Sequence, residues 1–217
     1  MTREIALIAG DYWHAPGPWQ SMLAGLLKGS SANLSIYVDA NPLDRIFDEA
    51  NLDLIVLVRE GQRPGGTAND FWLSVAEEDQ LQRYVRDGGR LVALHCGVCT
   101  YRPDGPMRSM MKGHFVSHPE ESSHVVGAVA AAGCALDLGF LPFPVFDEFY
   151  LVDTDPNETT VFAEILSPEH GRQIAGWTHP FGNGHFTAFT PGHNRPVLKY
   201  PSYQRIVREI ILGQMAG

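Results

Sequence analysis

Short apolar runs alternate with amphipathic segments along the first half of the chain. Four runs read as strands: Glu4–Ala9, Leu34–Val38, Asp53–Val58 and Leu91–Leu94. The segments between them read as helices: Trp19–Lys28, Pro42–Asn51 and Ser74–Asp87. Because alternating strands and helices are typical of a parallel sheet covered on both faces, the pattern predicts a doubly wound α/β fold.

The fourth run, Leu91–Leu94, is the stretch around which the chain is organised. It follows the turn signal at Gly88 and Gly89, and its apolar character predicts a strand buried on both faces. We therefore expect a five- or six-stranded, mainly parallel sheet with this strand near the centre. Since ligands bind outside the carboxyl ends of such strands, the residues that follow it, His95 and Cys96, are candidates for chemistry.

The second half of the chain is less regular. The sequence predicts a helix around Met107, Met110 and Met111, a closing helix and a set of further strands. The predicted strands are Val125–Ala131, Thr159–Ile165, Gln173–Thr178 and one within Phe181–Thr190. The closing helix is Ser202–Leu212, and Leu136–Pro144 is predicted to be a loop. No repeat, low-complexity run or linker interrupts them, which predicts one domain spanning residues 1–217.

Composition and charge narrow the function. The chain has 217 residues, 44% of them hydrophobic, and a formal net charge of −9, with no Lys/Arg run. This balance argues against nucleic acid or an anionic membrane as the main partner. No apolar run reaches the length of a membrane span and no signal-peptide pattern is present, so we expect a cytoplasmic protein. Three cysteines are too few for a disulfide framework, and the oligomeric state stays open, a homo-oligomer included.

The loop after the first strand is rich in aromatic residues. Tyr12, Trp13, His14 and Trp19 follow within ten residues of Gly10. They suit a wall that faces a ligand, and they equally suit packing beneath the next helix. The loop has neither the glycine spacing of a dinucleotide site nor a Gly-Lys-Ser/Thr phosphate loop.

The order of motifs resembles the ThuA-like, trehalose-utilisation family, which shares the class I glutamine amidotransferase-like fold. The matching features are the His14 loop, GGRLVALHCG with His95, GHFVSHP with His118, FDEFY, GWTHPFGNGHF and TPGH with His193. Two positions depart from the family pattern: His185 stands where arginine is common, and Cys96 replaces a small residue. The resemblance implies a flavodoxin-like sheet and a role in carbohydrate metabolism. The substrates it implies are disaccharides or their keto derivatives, handled alongside a partner oxidoreductase.

Histidines concentrate at predicted strand ends and loops. They are His14, His95, His114, His118, His179 and His193. Because parallel strands point their carboxyl ends the same way, the residues after the first, fourth and last strands should surround one cleft. The predicted catalytic set is His95, His118, Asp147, Glu148 and His193. The predicted sugar-lining set is Trp13, His14, Tyr150 and Trp177.

Three mechanisms fit these residues. The first is acid–base catalysis on a sugar or keto-sugar by imidazole and carboxylate groups. The second uses a divalent metal ion held by two or three histidines and a carboxylate, although no HxH or HExxH spacing is present. The third uses Cys96 as a nucleophile with His193, although the glycine-x-cysteine-x-glycine elbow is missing. A non-catalytic sugar-binding or regulatory module, with aromatic rings stacked on the sugar, is the alternative from a different class.

Overall fold

The structure is a computed structural model that describes residues 2–38, 43–49, 52–63, 67, 69–129 and 142–215, without the side chains of residues 48 and 49. Its strands are β1 Arg3–Ala9, β2 Ala32–Tyr37, β3 Leu54–Val58, β4 Arg90–Leu94, β5 Gly113–Ser117, β6 Ser122–Ala128, β7 Phe143–Asp147, β8 Leu151–Thr154, β9 Thr160–Ser167, β10 Gly171–Phe181 and β11 Gly184–Phe189. Its helices are α1 Pro16–Leu27, α2 Leu43–Glu49, α3 Val75–Arg86, α4 Pro106–Met111 and α5 Pro201–Met215. Short 3₁₀ turns cover His95–Val98 and Val197–Lys199.

Five strands form the parallel half of the main sheet, in the order β2-β1-β3-β4-β11. The predicted strand Leu91–Leu94 lies within β4, between β3 and β11, and its side chains are completely buried. The side chains of β3 are also completely buried, which is the burial expected for a parallel sheet covered on both faces. The strand–helix alternation predicted for the first half of the chain is confirmed.

Four further strands form the antiparallel half, in the order β10-β9-β6-β7, and β10 joins it to β11. The expected count of five or six strands is therefore wrong, because the sheet has nine strands in the described part of the chain, and its pairing is mixed, with five of them parallel. Hydrophobic patterns indicated most of these strands, but such patterns do not say which edge a strand joins. Residues 130–131 of the predicted strand and 136–141 of the predicted loop lie outside the described part of the chain.

The helices follow the signals in the sequence. At the start of α3, the Ser74 hydroxyl accepts from the Glu77 amide at 3.3 Å, and the Glu77 carboxylate accepts from the Ser74 amide at 2.6 Å, which makes a capping box. Helices α1 and α5 contact each other, as do α3 and α4. Among the described residues, no helix combines the length and the apolar character needed to span a membrane.

Candidate active site

Three histidines meet where β1, β4 and β11 end. His14 Nε2 lies 3.1 Å from His95 Nε2, and His95 Nε2 lies 3.3 Å from His193 Nδ1. The carboxyl ends of parallel strands share one edge of the sheet, so the topology brings these side chains together. His14 and His193 line a cavity of about 440 Å³, and His95 lies between them.

Hydrogen bonds fix the orientation of the His14 and His95 rings. His14 Nδ1 donates to Asp11 Oδ1 at 2.7 Å, and His95 Nδ1 donates to the Thr190 carbonyl at 2.9 Å. A ring that donates from Nδ1 to an acceptor keeps a lone pair on Nε2. Both Nε2 atoms therefore face the shared centre as electron-pair donors, the arrangement that orients histidines around metal ions.

The backbone turns sharply at His95. This residue has φ of +46°, a left-handed conformation that is uncommon for a side chain larger than glycine. The following turn is tight, since a Cβ at Gly97 would come within 2.3 Å of the Leu57 carbonyl oxygen. Unusual backbone of this kind concentrates at functional sites, and here it turns the imidazole of His95 into the cleft.

The Glu148 carboxylate lies between His193 and His118. Its Oε2 lies 3.3 Å from His193 Nδ1 and 3.5 Å from His95 Nε2, and its Oε1 lies 3.5 Å from His118 Nε2. The second ring nitrogen of His193 faces the Glu121 carboxylate at 3.9 Å. Glu148 thus joins the histidine cluster to a ring that is partly exposed, since 39% of the His118 side chain is accessible.

Tyr150 and Trp13 form the walls of the cavity. The Tyr150 hydroxyl is hydrogen-bonded to His95 Nε2 at 3.1 Å and accepts from the Cys99 thiol at 3.5 Å, and its side chain is buried. Trp13 is 65% exposed at the opening and packs edge-to-face with Tyr12. Both positions suit the role in sugar binding that the sequence suggested for Tyr150 and Trp13.

Two predicted site residues lie elsewhere. Trp177 is completely buried, and its Nε1 donates to the Met111 carbonyl at 2.9 Å, so it does not line the cavity. Asp147 is also completely buried, and its carboxylate accepts from the backbone amides of Gly192 and Asn194. Asp147 occupies an inward position in the alternating burial pattern of β7. Trp177 lies in a stretch of β10 that is buried at every position from Ala175 to His179.

Two carboxylates of the site are not among the residues predicted from the sequence. Asp11 follows β1 and holds His14, and Glu60 follows β3 and lines the cavity. Burial opposes ionisation of Asp11, but the hydrogen bond and charge of His14 outweigh it and lower the pKa of Asp11 to about 2. Burial, together with the Asp11 charge, raises the pKa of Glu60 to about 7. Their position directly after predicted strands was the available signal.

Burial disfavours the protonated forms of His95 and His193. It lowers the pKa of His95 well below the usual value, and the neighbouring His14 and His193 rings lower it further. Burial also lowers the pKa of His193, against the opposing effect of Glu148. Burial and the Asp11 charge raise the pKa of Cys96 well above its usual range, which disfavours a thiolate nucleophile.

The three imidazoles fit a metal ion. Their facing nitrogens all lie within 4.8 Å of one another. Zn–N bonds of about 2.0–2.1 Å in a tetrahedron place neighbouring nitrogens about 3.3 Å apart. The His14–His95 and His95–His193 separations of 3.1 and 3.3 Å match that spacing. Asp11, His14 and Cys96 form a second group of three donors around the other nitrogen of His14.

The fold and the site together define a mixed α/β protein with a histidine–carboxylate centre at its sheet edge. The chain belongs to the ThuA family, described as trehalose utilisation, whose family model matches residues 9–212. Membership associates the chain with carbohydrate utilisation in general. The comparison with curated proteins gives no match.

Solved structures share the fold. A ThuA-like protein from Parabacteroides merdae ATCC 43184 is 14% identical, with a TM-score of 0.76, 99% of this chain covered and 90% of that one. A cytoplasmic protein from Salmonella typhimurium LT2 is 12% identical, with a TM-score of 0.63 and coverage of 96% and 98%. The β-galactosidase from Rahnella sp. R3 is 14% identical, with a TM-score of 0.64, and this chain, matched over 100% of its length, spans 32% of that enzyme.

Proposed function

We propose that this protein is a metal-dependent enzyme that performs acid–base chemistry on a keto-sugar, a lyase or isomerase in type. The observation that carries the proposal is the convergence of His14 Nε2, His95 Nε2 and His193 Nδ1 within 4.8 Å of one another, beside the Glu148 carboxylate. Three imidazoles form a donor set that suits Zn²⁺ and related divalent ions, and the carboxylate beside them is placed to act as a base.

The chain supplies the groups that hold the ion and those that move protons. A divalent ion bound by the three histidines supplies a Lewis acid for a substrate oxygen. Glu148 acts as the base that removes a proton from the carbon next to the substrate carbonyl. His118 Nε2, 3.5 Å from Glu148 Oε1, passes that proton toward solvent.

Glu60 acts as the acid on another part of the wall. It lines the same cavity, and its pKa of about 7 leaves a substantial protonated fraction at neutral pH. A protonated carboxyl in a partly buried cavity can donate to a substrate oxygen that gains charge. An acid and a base in one cavity allow a proton to leave one atom and another to arrive at a second atom.

The size and the opening of the cavity suit a small carbohydrate. Its volume of about 440 Å³ falls within the usual range of small-molecule sites, about 300–1,000 Å³. Trp13 and Tyr12 at the opening offer apolar faces on which a second sugar ring can stack. A keto-sugar requires an oxidation step before it reaches this site, which fits a partner oxidoreductase.

The test is turnover with and without metal. Protein treated with a chelator and then reloaded with Zn²⁺, Mn²⁺, Co²⁺ or Ni²⁺ is incubated in D₂O with keto-disaccharides and followed by NMR. We expect turnover only after reloading, with deuterium incorporated next to the carbonyl. Glu148→Gln should stop the exchange, whereas Glu209→Gln on α5, outside the cavity, should not.

Three other outcomes would contradict the proposal. Full turnover by metal-free protein would exclude metal dependence. Cleavage of the glycosidic bond without deuterium incorporation would point to a hydrolase. Sugar binding with no turnover of any substrate, in metal-loaded protein, would point to the non-catalytic binding module.

A further inference from the structure

We infer that Asp147 is a positioning residue, which holds the loop of His193 so that this ring completes the metal site. The inference rests on the metal site of the proposed function. Asp147 does not line the cavity and reaches His193 through the backbone on either side of that ring.

The Asp147 carboxylate accepts hydrogen bonds from the backbone amides of both neighbours of His193. Its Oδ2 accepts from the Gly192 amide at 2.6 Å, and its Oδ1 accepts from the Asn194 amide at 2.8 Å. The carboxylate is completely buried, so water does not compete for these amides. These two buried hydrogen bonds fix both ends of a three-residue segment.

The beginning of the same loop is tethered independently. The Thr190 amide donates to the Ala175 carbonyl at 2.8 Å, and the Tyr203 hydroxyl donates to the Pro191 carbonyl at 3.0 Å. Gly192 has φ of +124°, and a Cβ there would come within 2.4 Å of the Tyr203 hydroxyl oxygen. The first part of the loop is therefore held without Asp147, which limits the effect of Asp147 to the segment that carries His193.

Asp147 and Glu148 are consecutive at the end of β7, and their carboxylates reach two different targets. Asp147 reaches the amides beside His193, and Glu148 reaches the His193 ring at 3.3 Å. Because β7 is an edge strand separated from β11 by β10, β9 and β6, the main sheet alone does not fix this distance. By holding the loop, Asp147 keeps the His193 ring at this distance from Glu148.

The two acceptor oxygens of the Asp147 side chain matter for this role. Asparagine at position 147 would keep the shape but would place an NH₂ group against one of the two amides. One amide would then lose its buried acceptor, and the segment around His193 would shift. Loss of the groups that orient metal-binding histidines weakens metal affinity by roughly 10–100-fold.

The experiment compares the parent protein with Asp147→Asn and with the control Val145→Ala. Val145 is also buried on β7, on the same side of the strand, and its side chain has no hydrogen-bond acceptor for the loop amides. The Zn²⁺ dissociation constant is measured by competition with a chromogenic chelator, and the Co²⁺ absorption spectrum reports the geometry of the site. Unfolding of all three proteins is followed in urea.

We expect Asp147→Asn to weaken Zn²⁺ binding 10–100-fold and to change the Co²⁺ bands, whereas Val145→Ala lowers stability without either effect. An Asp147→Asn protein with the Zn²⁺ affinity and Co²⁺ spectrum of the control would overturn the inference. If Asp147→Asn does not fold, Asp147→Glu takes its place, because its longer carboxylate displaces the same amides and should cause the same loss.

Failure of the proposed function gives a different result. A parent protein that binds neither Zn²⁺ nor Co²⁺ would contradict the metal site itself. The positioning role is then read from the ring signals of His193 in nitrogen-15 NMR spectra of the metal-free protein. One sharp set in the parent and broadened or multiple signals in Asp147→Asn would support it, and identical signals would overturn it.

Discussion

The two halves of the main sheet contribute different chemistry to one site. The parallel half carries His14, His95 and His193 on the loops after β1, β4 and β11. The antiparallel half ends at β7, which leads into Glu148 and Tyr150. Nitrogen donors thus come from one half and a carboxylate from the other, so in the proposed mechanism the binding of the ion and the movement of the proton depend on separate parts of the fold.

The two halves also differ in how firmly they hold their site residues in place. The parallel strands bring their loops together by topology, and buried partners hold the rings of His14 and His95. The antiparallel half reaches the site only at its far edge, where Asp147 connects it to the loop of His193. Substitutions in the two halves should therefore have distinguishable effects.

The largest effect is expected for His95→Gln in the parallel half. Removing the central imidazole should weaken metal affinity and lower turnover by about 1,000-fold or more, because the ion and its Lewis acidity are lost together. Metal content and steady-state kinetics measure both. The matched control is His185→Gln, a partly buried histidine of β11 that does not line the cavity. Equal losses of metal and turnover in the two variants would contradict a specific role for His95 in the metal site.

Glu148→Gln in the antiparallel half should separate binding from chemistry. Turnover should fall by roughly 10²–10⁴-fold, the usual contribution of a general base, while Zn²⁺ affinity changes less than about tenfold. The measurement is kcat beside the Zn²⁺ dissociation constant of the same preparation. If Glu148→Gln loses its metal as completely as His95→Gln, then Glu148 is a ligand and the division between the halves fails.

The sequence could predict the parallel half because its information is local. The apolar run Leu91–Leu94 predicts a buried strand. The rule that parallel strands end at one edge of the sheet then predicts that His95 and His14 lie close together. The same rule extended this to His193, which follows the last predicted strand. No pairing of distant strands had to be known for this part of the prediction.

The antiparallel half depends on contacts between distant residues. FDEFY does not reveal which carboxylate faces the cavity, and only the pairing of β7 with β6 shows that Asp147 points inward. Trp177 lies in a family motif, yet it is buried on β10, where its Nε1 donates to the Met111 carbonyl. Burial of a given strand residue is a long-range property that a single sequence does not specify.

Stability should respond to acid through His179 on β10. This ring is buried, its Nε2 donates to the Met110 carbonyl at 2.8 Å, and its Nδ1 has no partner among the described residues. Burial lowers its pKa from 6.5 to about 4. The unfolded chain therefore binds a proton at higher pH than the folded protein, so this contribution is complete above pH 6.5 and is lost as the pH falls toward 4.

The variant that isolates this effect is His179→Gln, which does not titrate. Between pH 7 and 4, the parent should lose about 3 kcal/mol more of its free energy of unfolding than the variant does. Urea unfolding at several pH values measures the difference, in which the other titrating groups cancel. Parallel pH profiles for the two proteins would show that the antiparallel half does not carry this acid sensitivity.

The smallest effect is expected for Trp13→Ala at the opening. Loss of a stacking surface should raise KM about tenfold with little change in kcat, since an exposed aromatic contact contributes about 1–2 kcal/mol. Phe146→Ala is the control, because that ring is 54% exposed on β7 and does not line the cavity. Unchanged KM in Trp13→Ala would mean that the sugar does not reach the aromatic rim.

X-ray absorption at the zinc edge of the Zn²⁺-loaded protein tests the central claim most directly, because it identifies the atoms bound to the ion. The account predicts about one Zn²⁺ per chain, nitrogen and oxygen neighbours at about 2.0–2.1 Å, and the outer scattering of three imidazole rings. A sulfur neighbour at about 2.3 Å would place the ion instead at the group formed by Asp11, His14 and Cys96. That result, or a protein that binds no zinc, would contradict a site built from His14, His95 and His193.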